Sequence, residues 1–351
     1  MTPIEAISNG ADLSVSLSGG KDSTATYLHL LESGTLEAVE KAGGKVYRVF
    51  ADTGWELPAT YAYLDELEAR FGKIHRVATW VPGPNEAPPA GYDHLEPIWK
   101  TERGGVAGAM HADRWAYARL LETRFGRYSP MIRLMMEWRK IPMSSRRWCT
   151  DDTKKRPQVG FLATLNSPIN CIGVRAEESR KRAAAPEYEW SDDYDALVWR
   201  PIHAWKKSDV IAIHQRHGIA PNPLYLQGEG SGRVGCGPCV NSGKDDLRWL
   251  ATHHPERIAL VQELERVMGE MGTAREEAGA GQPYWFTLSK KVGKKTVDWA
   301  VPVATAVDWA QTARGGRQVV FWRPPTEGCA EWGLCESGIG RPTVDEGVAD
   351  G

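Results

Sequence analysis

The sequence predicts an α/β fold in which a doubly wound, mainly parallel sheet carries helices on both faces. Two observations lead to this fold class: a strand, loop and helix pattern occurs twice near the start of the chain, and further short apolar runs follow downstream. The first unit has an alternating strand at residues 12–17, a glycine-rich loop, and an apolar-periodic helix at residues 23–31. Asp22 or Ser23 is expected to cap that helix.

The second unit places a strand at residues 45–50 before a turn at 51–55 and a helix at 58–71, which has a proline near its first turn. Two more apolar strands are expected at residues 74–78 and 169–174. In doubly wound sheets, ligands bind beyond the carboxyl ends of the strands. The loops after the first two strands are therefore expected to lie together at the ligand-binding edge.

Two regions are expected along the chain. Residues 1–205 form the α/β domain, which is interrupted by a helical insertion at about residues 92–145 after a proline-rich loop. Residues 206–351 form a helical, cysteine-containing region that packs on this domain as a metal-binding extension.

The composition is that of an ordinary globular protein, with 351 residues and a formal net charge of −2. This charge gives no global attraction to nucleic acid or to membranes, although a local basic patch stays open. The amino terminus lacks a basic and apolar leader, and no run of about eighteen apolar residues occurs, so we expect a cytoplasmic location without membrane association. Six cysteines are too few for a disulfide scaffold of this length and favour metal ligation or redox chemistry.

The glycine-rich loop after the first strand has the chemistry of a phosphate cradle. Between a strand and a helix, successive backbone N–H groups converge on phosphate oxygens, and the helix amino terminus adds favourable partial charge. Lys21 is expected to meet the phosphates and Asp22 a magnesium ion. The spacing differs from GxxxxGK[ST], which disfavours kinases and motor NTPases, and the alternative is a Gly-Gly turn with a solvated lysine. The predicted loop residues are Ser18, Gly19, Gly20, Lys21, Asp22 and Ser23.

Three further side chains are candidates for the same nucleotide site. Asp52, at the end of a predicted strand, can bind magnesium or a ribose hydroxyl, or it is an ordinary turn aspartate. Arg175 and Arg180 can clamp phosphates through their forked guanidinium groups, whereas a solvated, charge-paired helix face is the alternative. Lys21, Asp22 and Arg175 are the predicted catalytic residues.

The cysteines can assemble a metal site. Cys236–Gly237–Pro238–Cys239 is a CxxC pair in a glycine-rich loop, where two thiolates from one tight turn suit an iron–sulfur cluster or zinc. A redox dithiol or an inert pair is the alternative. Cys171 lies in an apolar run and is expected to be a buried core thiol. Further thiolates for a four-cysteine site are available at Cys149, Cys329 and Cys335.

The motif SGGKDS at residues 18–23 resembles the PP-loop of the adenine-nucleotide α-hydrolase superfamily, which includes ATP pyrophosphatases, tRNA thiolation enzymes and phosphoadenosine phosphosulfate reductases. Further segments between residues 12 and 255 resemble the reductase family in the same order. The resemblance implies nucleotide contacts at Thr53 and Gly173. The segments are Asp52–Thr53–Gly54–Trp55, Arg147–Trp148–Cys149–Thr150, the stretch from Gly173 to Arg180, and Asn222–Pro223–Leu224–Tyr225 before Cys236.

The resemblance also implies a cofactor. Sulfonucleotide reductases and DNA phosphorothioation enzymes of this kind hold a [4Fe–4S] cluster with a CxxC pair and separate cysteines. Zinc held by four thiolates, or a cluster with three protein ligands and an open iron, is the alternative. The implied ligands are Cys149, Cys236, Cys239 and Cys335, with Cys329 as the alternative fourth ligand or as a sulfur-carrying thiol.

Two catalytic schemes are open. In the first, ATP adenylates a substrate oxygen with loss of pyrophosphate, and a sulfur donor then displaces AMP. In the second, a cysteine thiolate attacks the sulfur of an adenylyl sulfate and releases sulfite. Lys21 and Asp22 favour the first scheme, because ATP splitting needs charge neutralisation and Mg²⁺ on the leaving pyrophosphate.

The carboxy-terminal segment also weighs against the second scheme. The tail Glu331–Trp332–Gly333–Leu334–Cys335–Glu336 displaces the cysteine relative to the Glu-Cys-Gly-Leu-His type of segment that the reductases carry. A third scheme is a non-catalytic nucleotide-binding subunit of a defence or modification complex.

The expected partners follow from the first scheme. They are an adenine nucleotide, a nucleic acid that accepts sulfur as in DNA phosphorothioation, and a sulfur-donor protein such as a cysteine desulfurase. The basic and aromatic stretch at residues 114–147 can meet a nucleic-acid backbone, or it is a solvated helical face. The sequence leaves a homo-oligomer open.

Overall fold

A seven-stranded sheet lies at the centre of the chain. The computed structural model describes residues 1–98, 111–144, 147–226, 234–271, 284–292, 295–312 and Trp332. The sheet strands are β1 (Leu13–Ser16), β2 (Val46–Ala51), β3 (Ile74–Trp80), β4 (His94–Pro97), β5 (Ile169–Cys171), β6 (Tyr188–Ser191) and β7 (Ala196–Trp199). Their order across the sheet is β4-β3-β2-β1-β5-β7-β6, and neighbours are parallel except for β6 and β7. The predicted doubly wound, mainly parallel sheet is confirmed.

Helices and a second, two-stranded antiparallel sheet make up most of the remaining described residues. The helices are α1 (Pro3–Ser8), α2 (Lys21–Glu32), α3 (Thr35–Lys41), α4 (Pro58–Phe71), α5 (Ala112–Phe125), α6 (Pro130–Trp138), α7 (Trp148–Thr150), α8 (Arg156–Leu162), α9 (Arg180–Ala183), α10 (Lys207–Arg216), α11 (Lys244–His253), α12 (Pro255–Glu270) and α13 (Val303–Ala310). The second sheet pairs β8 (Phe286–Val292) with β9 (Lys295–Val301). A π-helical turn, Asp151–Lys155, joins α7 to α8. Within these described stretches, no helix has both the length and the apolar character that a membrane span requires.

The two faces of the central sheet carry separate hydrophobic cores. Val49 and Phe50 are consecutive in β2, so their side chains point to opposite faces. Phe50 shares a core with Leu28 of α2 and Val210 of α10. Val49 packs instead with Phe161 of α8. Helices therefore cover both faces, as the predicted fold class requires.

The first strand–loop–helix unit lies where the sequence predicts it, with one correction. The apolar side chains of β1 are fully buried, as is typical of a central parallel strand covered on both faces. Helix α2 begins at Lys21 with Gly20 as its N-cap, so the expectation that Asp22 or Ser23 caps the helix is wrong. The hydroxyl of Ser23 instead donates a 2.8 Å hydrogen bond back to the Gly20 carbonyl.

Three strands of the sheet were not expected from the sequence. β4 lies inside the segment expected to be a helical insertion, and it extends the sheet parallel to β3. Among the described residues, the helical insertion therefore starts after β4 and consists of α5 and α6. β6 and β7 form an antiparallel pair at the other edge. These strands are four residues long, which is too short for a periodic pattern to separate them from loops.

The insertion and the C-terminal helices share one hydrophobic core. Leu134 and Met135 of α6 are fully buried in a cluster with Leu250 of α11 and Val261 of α12. Trp285, just before β8, belongs to the same cluster and is 1% exposed. The C-terminal region therefore packs on the insertion as well as on the sheet domain.

Several arginines of the insertion pair with carboxylates, and one of them is fully buried. Arg133 of α6 is fully buried, and it donates to Glu122 Oε1 at 2.8 Å and to Glu86 Oε1 at 2.7 Å. Arg127 lies 3.7 Å from a carboxylate oxygen of Asp52. The arginines at these positions serve the fold, which leaves less of residues 114–147 available for a nucleic-acid backbone. Further ion pairs with carboxylates engage Arg114, Arg119 and Arg124.

Replacing Arg133 with methionine should lower the free energy of unfolding by about 3 kcal/mol, because the buried carboxylate of Glu122 would lose its buried counter-charge and keep only the half-exposed Arg119. The matched control is Arg124→Met, which breaks an ion pair whose arginine side chain is 53% exposed and should cost less than about 1 kcal/mol. Urea unfolding followed by tryptophan fluorescence measures both. Equal losses in the two variants would contradict a structural role specific to Arg133.

Candidate functional site

The phosphate loop lies between β1 and α2, at the carboxyl edge of the sheet. Gly19 has a φ of +73°, and a Cβ at this position would lie 2.9 Å from Thr60 Cγ2. The Ser23 hydroxyl donates to the carbonyl of Gly20 and accepts a 3.2 Å hydrogen bond from the amide of Ser18. Because the first N–H groups of a helix lack intrahelical partners, the start of α2 offers backbone donors to an anion.

The three residues predicted to be catalytic meet at the first turn of α2. The ammonium of Lys21 lies 2.8 Å from Asp22 Oδ2, and the Nε of Arg175 donates to Asp22 Oδ1 at 2.6 Å. Burial disfavours the charged form of Arg175, but the charge and hydrogen bond of Asp22 outweigh it, so the pKa of Arg175 is raised. One carboxylate thus holds two cations side by side. Glu177 completes the cluster through a salt bridge to Arg175.

Gly173 packs against this charge cluster, whereas Arg180 is exposed. A Cβ on Gly173 would lie 2.7 Å from the carbonyl oxygen of Asp22, so glycine permits the loop after β5 to pass against α2. Arg180 begins α9 and is exposed. Within the described part of the chain, Arg180 makes no recorded contact with Lys21, Asp22 or Arg175. Nucleotide contacts by Gly173 and Arg180 therefore stay predictions.

Asp52 lies at the end of β2 with its carboxylate committed inside the protein. Its side chain is buried and accepts hydrogen bonds from the amide of Gly54 at 2.8 Å and from the hydroxyl of Tyr61 at 2.7 Å. The hydroxyl of Tyr92 donates to the second oxygen at 3.1 Å. Burial and then the nearby carboxylate of Glu56 raise the pKa of Asp52. This geometry matches the turn aspartate that was the alternative, and a magnesium or ribose contact stays a prediction.

The loop after Asp52 turns into the protein interior. Thr53 is fully buried, and its hydroxyl donates to Glu56 Oε2 at 2.8 Å. Gly54 has a φ of +62°, and a Cβ there would lie 2.5 Å from the carbonyl oxygen of Tyr128. The loop therefore packs backbone to backbone against the insertion, between α5 and α6.

One residue of the carboxy-terminal tail packs beside the phosphate loop. Trp332 is 3% exposed, and its ring meets His214 edge-on at 5.2 Å and lies 6.4 Å from the ring of Tyr225. The hydroxyl of Tyr225 accepts a 3.4 Å hydrogen bond from the amide of Lys21. The Nε2 of His214 lies 2.9 Å from the carbonyl oxygen of Lys21. Trp332 therefore contacts two side chains that themselves hold the loop.

The three described cysteines of the predicted metal site, Cys149, Cys236 and Cys239, lie within electrostatic range of one another and are called the cysteine pocket below. Burial and then the charge of Cys239 raise the pKa of Cys149 to about 11. Burial also raises the pKa of Cys236 to about 12. Lys154 lies among these thiols, and Cys236 is the largest cause of its raised pKa. Cys171 lies apart in β5 and is fully buried, so its prediction as a core thiol is confirmed.

Residues 12–242, more than half of the chain, match the family described as the phosphoadenosine phosphosulfate reductase domain. The chain belongs to the phosphoadenosine phosphosulfate reductase family. The match includes the phosphate loop, Arg175, and the cysteines at 149, 236 and 239. Trp332 lies beyond it.

The proteins similar to this chain include an uncharacterized phage protein and two reductases. The chain is 34% identical over 317 residues to the uncharacterized 37.8 kDa protein in the gpa 5′ region of Escherichia phage 186, which covers 87% of this chain and 89% of that protein. To adenosine 5′-phosphosulfate reductase of Streptomyces coelicolor it is 37% identical over 89 residues, 24% of this chain and 37% of that protein. The crystal structure of the phosphoadenylyl-sulfate reductase of Candida auris aligns with a TM-score of 0.39 and 15% identity, over 67% of this chain and 88% of that chain.

The cysteine pocket of this family member contains donors of the right chemistry for a thiolate-ligated metal. Three thiols lie within electrostatic range of Lys154, whose charge can balance part of the charge of thiolates. Across the ranges that the structure describes, no group of three or more histidine, cysteine or acidic side chains is placed to hold a metal ion. The fourth predicted ligand, Cys335, and its alternative, Cys329, lie outside the described residues. The metal centre therefore stays a prediction.

Several residues that shape the site are not evident from the sequence. His214 was not singled out, because a histidine on an apolar helix face usually belongs to the core. Asn222 and Tyr225 were part of the family resemblance without a stated role. In the structure the side-chain amide of Asn222 donates to the carbonyl of Gly19 at 3.1 Å, which ties a distant loop to the phosphate loop.

Replacing Gly54 with alanine should lower the free energy of unfolding by about 3 kcal/mol, since backbone strain at positive φ adds to a clash with the insertion backbone. Gly34→Ala is the matched control, because Gly34 has a φ of +73° and open space around it. It should cost only about 1 kcal/mol. Chemical denaturation measures the free energy of unfolding of both variants. A loss of stability in Gly54→Ala no larger than in Gly34→Ala would contradict the close packing of Gly54 against the insertion.

Proposed function

We propose that this protein binds ATP at residues 18–23, transfers the AMP moiety to an oxygen of an acceptor with release of pyrophosphate, and then lets a sulfur donor displace AMP. The observation that supports this function is the charge cluster at the start of α2. Lys21 and Arg175 both contact Asp22. Cations held in place cost no reorganisation when negative charge develops on the leaving pyrophosphate.

Each residue of the cluster has a distinct task in this scheme. The backbone N–H groups at the start of α2 bind the phosphate oxygens. Lys21 neutralises the charge that develops on the leaving pyrophosphate, and Arg175 holds Asp22 in position while binding a phosphate oxygen with its free donors. Mg²⁺, bound by the carboxylate of Asp22, would supply a further positive charge on the phosphates.

The acceptor and the sulfur donor belong to the same proposal. A nucleic-acid acceptor and a cysteine desulfurase as donor follow from the similarity to DNA phosphorothioation enzymes. The burial of Arg133 moves the expected acceptor contact away from that arginine. A cytoplasmic location and a homo-oligomeric state also stay predictions.

In this proposal the cysteine pocket holds a [4Fe–4S] cluster, with zinc as the alternative. Cys149, Cys236 and Cys239 would be three ligands, and Cys335 or Cys329 the fourth. The cluster would supply a binding site for sulfur, and either the cluster or zinc would stabilise the C-terminal region. Lys154 would balance the negative charge of the thiolates.

Anaerobically purified protein should contain iron and acid-labile sulfide in equal amounts, in a ratio of about four each per chain. Elemental analysis and a sulfide assay measure this directly. Replacing both Cys236 and Cys239 with serine should remove the metal, whereas Cys171→Ser should not. Stoichiometric zinc without sulfide would select the zinc alternative, and metal-free protein would contradict both.

Substituting Lys21 with alanine should slow pyrophosphate release from ATP and Mg²⁺ by about 100-fold, which is the effect of losing one donor to developing negative charge. Asp22→Asn should cause a loss of similar size. Lys41→Ala is the control, because the side chain of Lys41 is 80% exposed on α3. A coupled pyrophosphate assay with candidate nucleic-acid acceptors provides the rates. Tight ATP binding without pyrophosphate release for any acceptor would favour the non-catalytic subunit instead.

The tail contact favours a second candidate, a thiol-dependent sulfonucleotide reductase. Trp332 packs on His214 and Tyr225, next to the phosphate loop. Cys335 is three residues further along the chain, and three residues span at most roughly 11 Å. In this candidate, a thiol of the tail would be the nucleophile.

Sulfite release from phosphoadenosine phosphosulfate, with a thiol reductant present, tests this second candidate. If the reductase is correct, Cys335→Ser or Cys329→Ser should abolish sulfite formation, and Trp332→Ala should reduce it about tenfold by loosening the tail. Lys41→Ala should leave the rate unchanged. No sulfite from the unsubstituted protein would exclude this reaction.

A further inference from the structure

The loop after β2 and the cysteine loop are joined through their backbones. Glu56 and Cys236 form an isolated antiparallel bridge. The amide of Gly237 donates to the carbonyl of Trp55 at 3.1 Å, and the indole N–H of Trp55 donates to the carbonyl of Pro238 at 3.0 Å. The CxxC pair therefore rests directly on the segment that follows Asp52.

The side chain of Glu56 faces both loops at once. It is 2% exposed. Its Oε2 accepts a hydrogen bond from the hydroxyl of Thr53 at 2.8 Å and lies 3.2 Å from the hydroxyl of Tyr61. Its Oε1 lies 3.8 Å from the ammonium of Lys154 and 3.9 Å from the sulfur of Cys236. One oxygen thus belongs to the nucleotide side and the other to the cysteine side.

Tyr61 continues the connection toward the nucleotide site. Its hydroxyl lies 2.7 Å from Asp52 and 3.2 Å from Glu56, and a tyrosine hydroxyl has a single proton. It can therefore donate to only one of the two carboxylates at a time. A change in the hydrogen bonding of Asp52 therefore alters the hydrogen bonding of Glu56 through the hydroxyl of Tyr61.

The position of Glu56 is not explained by loop geometry alone. Thr53 and the amide of Trp55 need only an acceptor oxygen, which a neutral side chain can supply. Burying a carboxylate is unfavourable unless a cation compensates it. Lys154 lies 3.8 Å from Glu56 Oε1, and its other neighbours are the thiols of Cys149, Cys236 and Cys239. Arg257, whose guanidinium donates to the backbone carbonyl of Glu56 at 2.8 Å, is a second nearby cation. The ion pair of the Glu56 side chain is therefore made on the cysteine side, while its hydrogen bonds are made on the nucleotide side.

We infer that Glu56 is a positioning residue that couples occupancy of the nucleotide site to the state of the cysteine pocket. Nucleotide bound beside Asp52 and Thr53 changes the environment of Cys236 through Glu56, and the state of Cys236 changes nucleotide affinity by the same factor. This inference rests on the nucleotide-binding part of the proposed function. It needs neither the acceptor, the sulfur donor nor a particular metal.

Peptide-resolved alkylation tests the coupling on full-length protein from which bound metal has been removed with a chelator, so that the thiol of Cys236 is free to react. The rate at which iodoacetamide modifies Cys236 is measured by mass spectrometry with and without ATP and Mg²⁺, while ATP affinity is measured separately by calorimetry. In the unsubstituted protein, the ratio of the Cys236 alkylation rates with and without ATP should differ from one by about fivefold or more. This is the lower end of typical coupling between sites. Glu56→Gln should bring this ratio close to one while the protein still binds ATP.

Glu265→Gln is the matched control. Glu265 is also a buried carboxylate, and it accepts hydrogen bonds from the amides of Trp285 at 2.9 Å and Val303 at 3.0 Å, away from both loops. This variant should keep the full ATP effect on Cys236. Tyr61→Phe, which removes the shared hydroxyl, should reduce the ratio as well and serves if Glu56→Gln does not fold.

The outcomes separate this inference from the proposed function. An unchanged ATP effect in Glu56→Gln, or in Tyr61→Phe if the first variant is unstable, overturns the role of Glu56. ATP binding to the unsubstituted protein without any effect on Cys236 overturns the coupling but leaves the proposed function intact. Absence of ATP binding overturns both.

Discussion

The ion pair between Asp22 and Arg175 holds the candidate site together, because it joins the start of α2 to the loop after β5. Arg175 is 4% exposed, so its guanidinium needs a carboxylate partner in the folded protein. The order of strands makes this partner available: β1 lies between β2 and β5, and parallel strands bring their carboxyl ends to one edge. Gly173 lets the loop after β5 pass close to the start of α2, since a larger residue would clash with the backbone of Asp22. Lys21 then shares the same carboxylate, and the charge cluster is complete.

A second set of contacts connects this edge to the C-terminal region. Trp55 leaves the loop after β2 and stacks on Trp285 with ring centroids 5.2 Å apart, inside the core that the insertion shares with the C-terminal helices. The same loop carries the backbone bridge from Glu56 to Cys236. On the other side of the site, Trp332 contacts the residues around Lys21. The C-terminal part of this family member therefore contacts the nucleotide edge at two separate places, which a simple appended extension would not do.

The insertion shows what a charged stretch of sequence leaves undecided. Arg133 is fully buried between Glu86 and Glu122. Glu122 lies in the same stretch and Glu86 precedes it, but the sequence pattern does not tell whether a cation faces water or a carboxylate. The insertion therefore uses its charges to fix two helices against the sheet and to hold Arg127 beside Asp52.

The sequence by itself determined the fold class and the phosphate loop, because alternating strands, apolar helix periods and a Gly-Gly-Lys turn are local patterns that depend on neighbouring residues alone. It also determined that Cys171 belongs to the core. Tertiary structure alone decided which distant groups meet: Arg175 with Asp22, the tail residue Trp332 with the phosphate loop, and Glu56 between the nucleotide loop and the cysteines. Such contacts join residues more than a hundred positions apart, and they are set by strand order and core packing, which leave no local pattern in the chain.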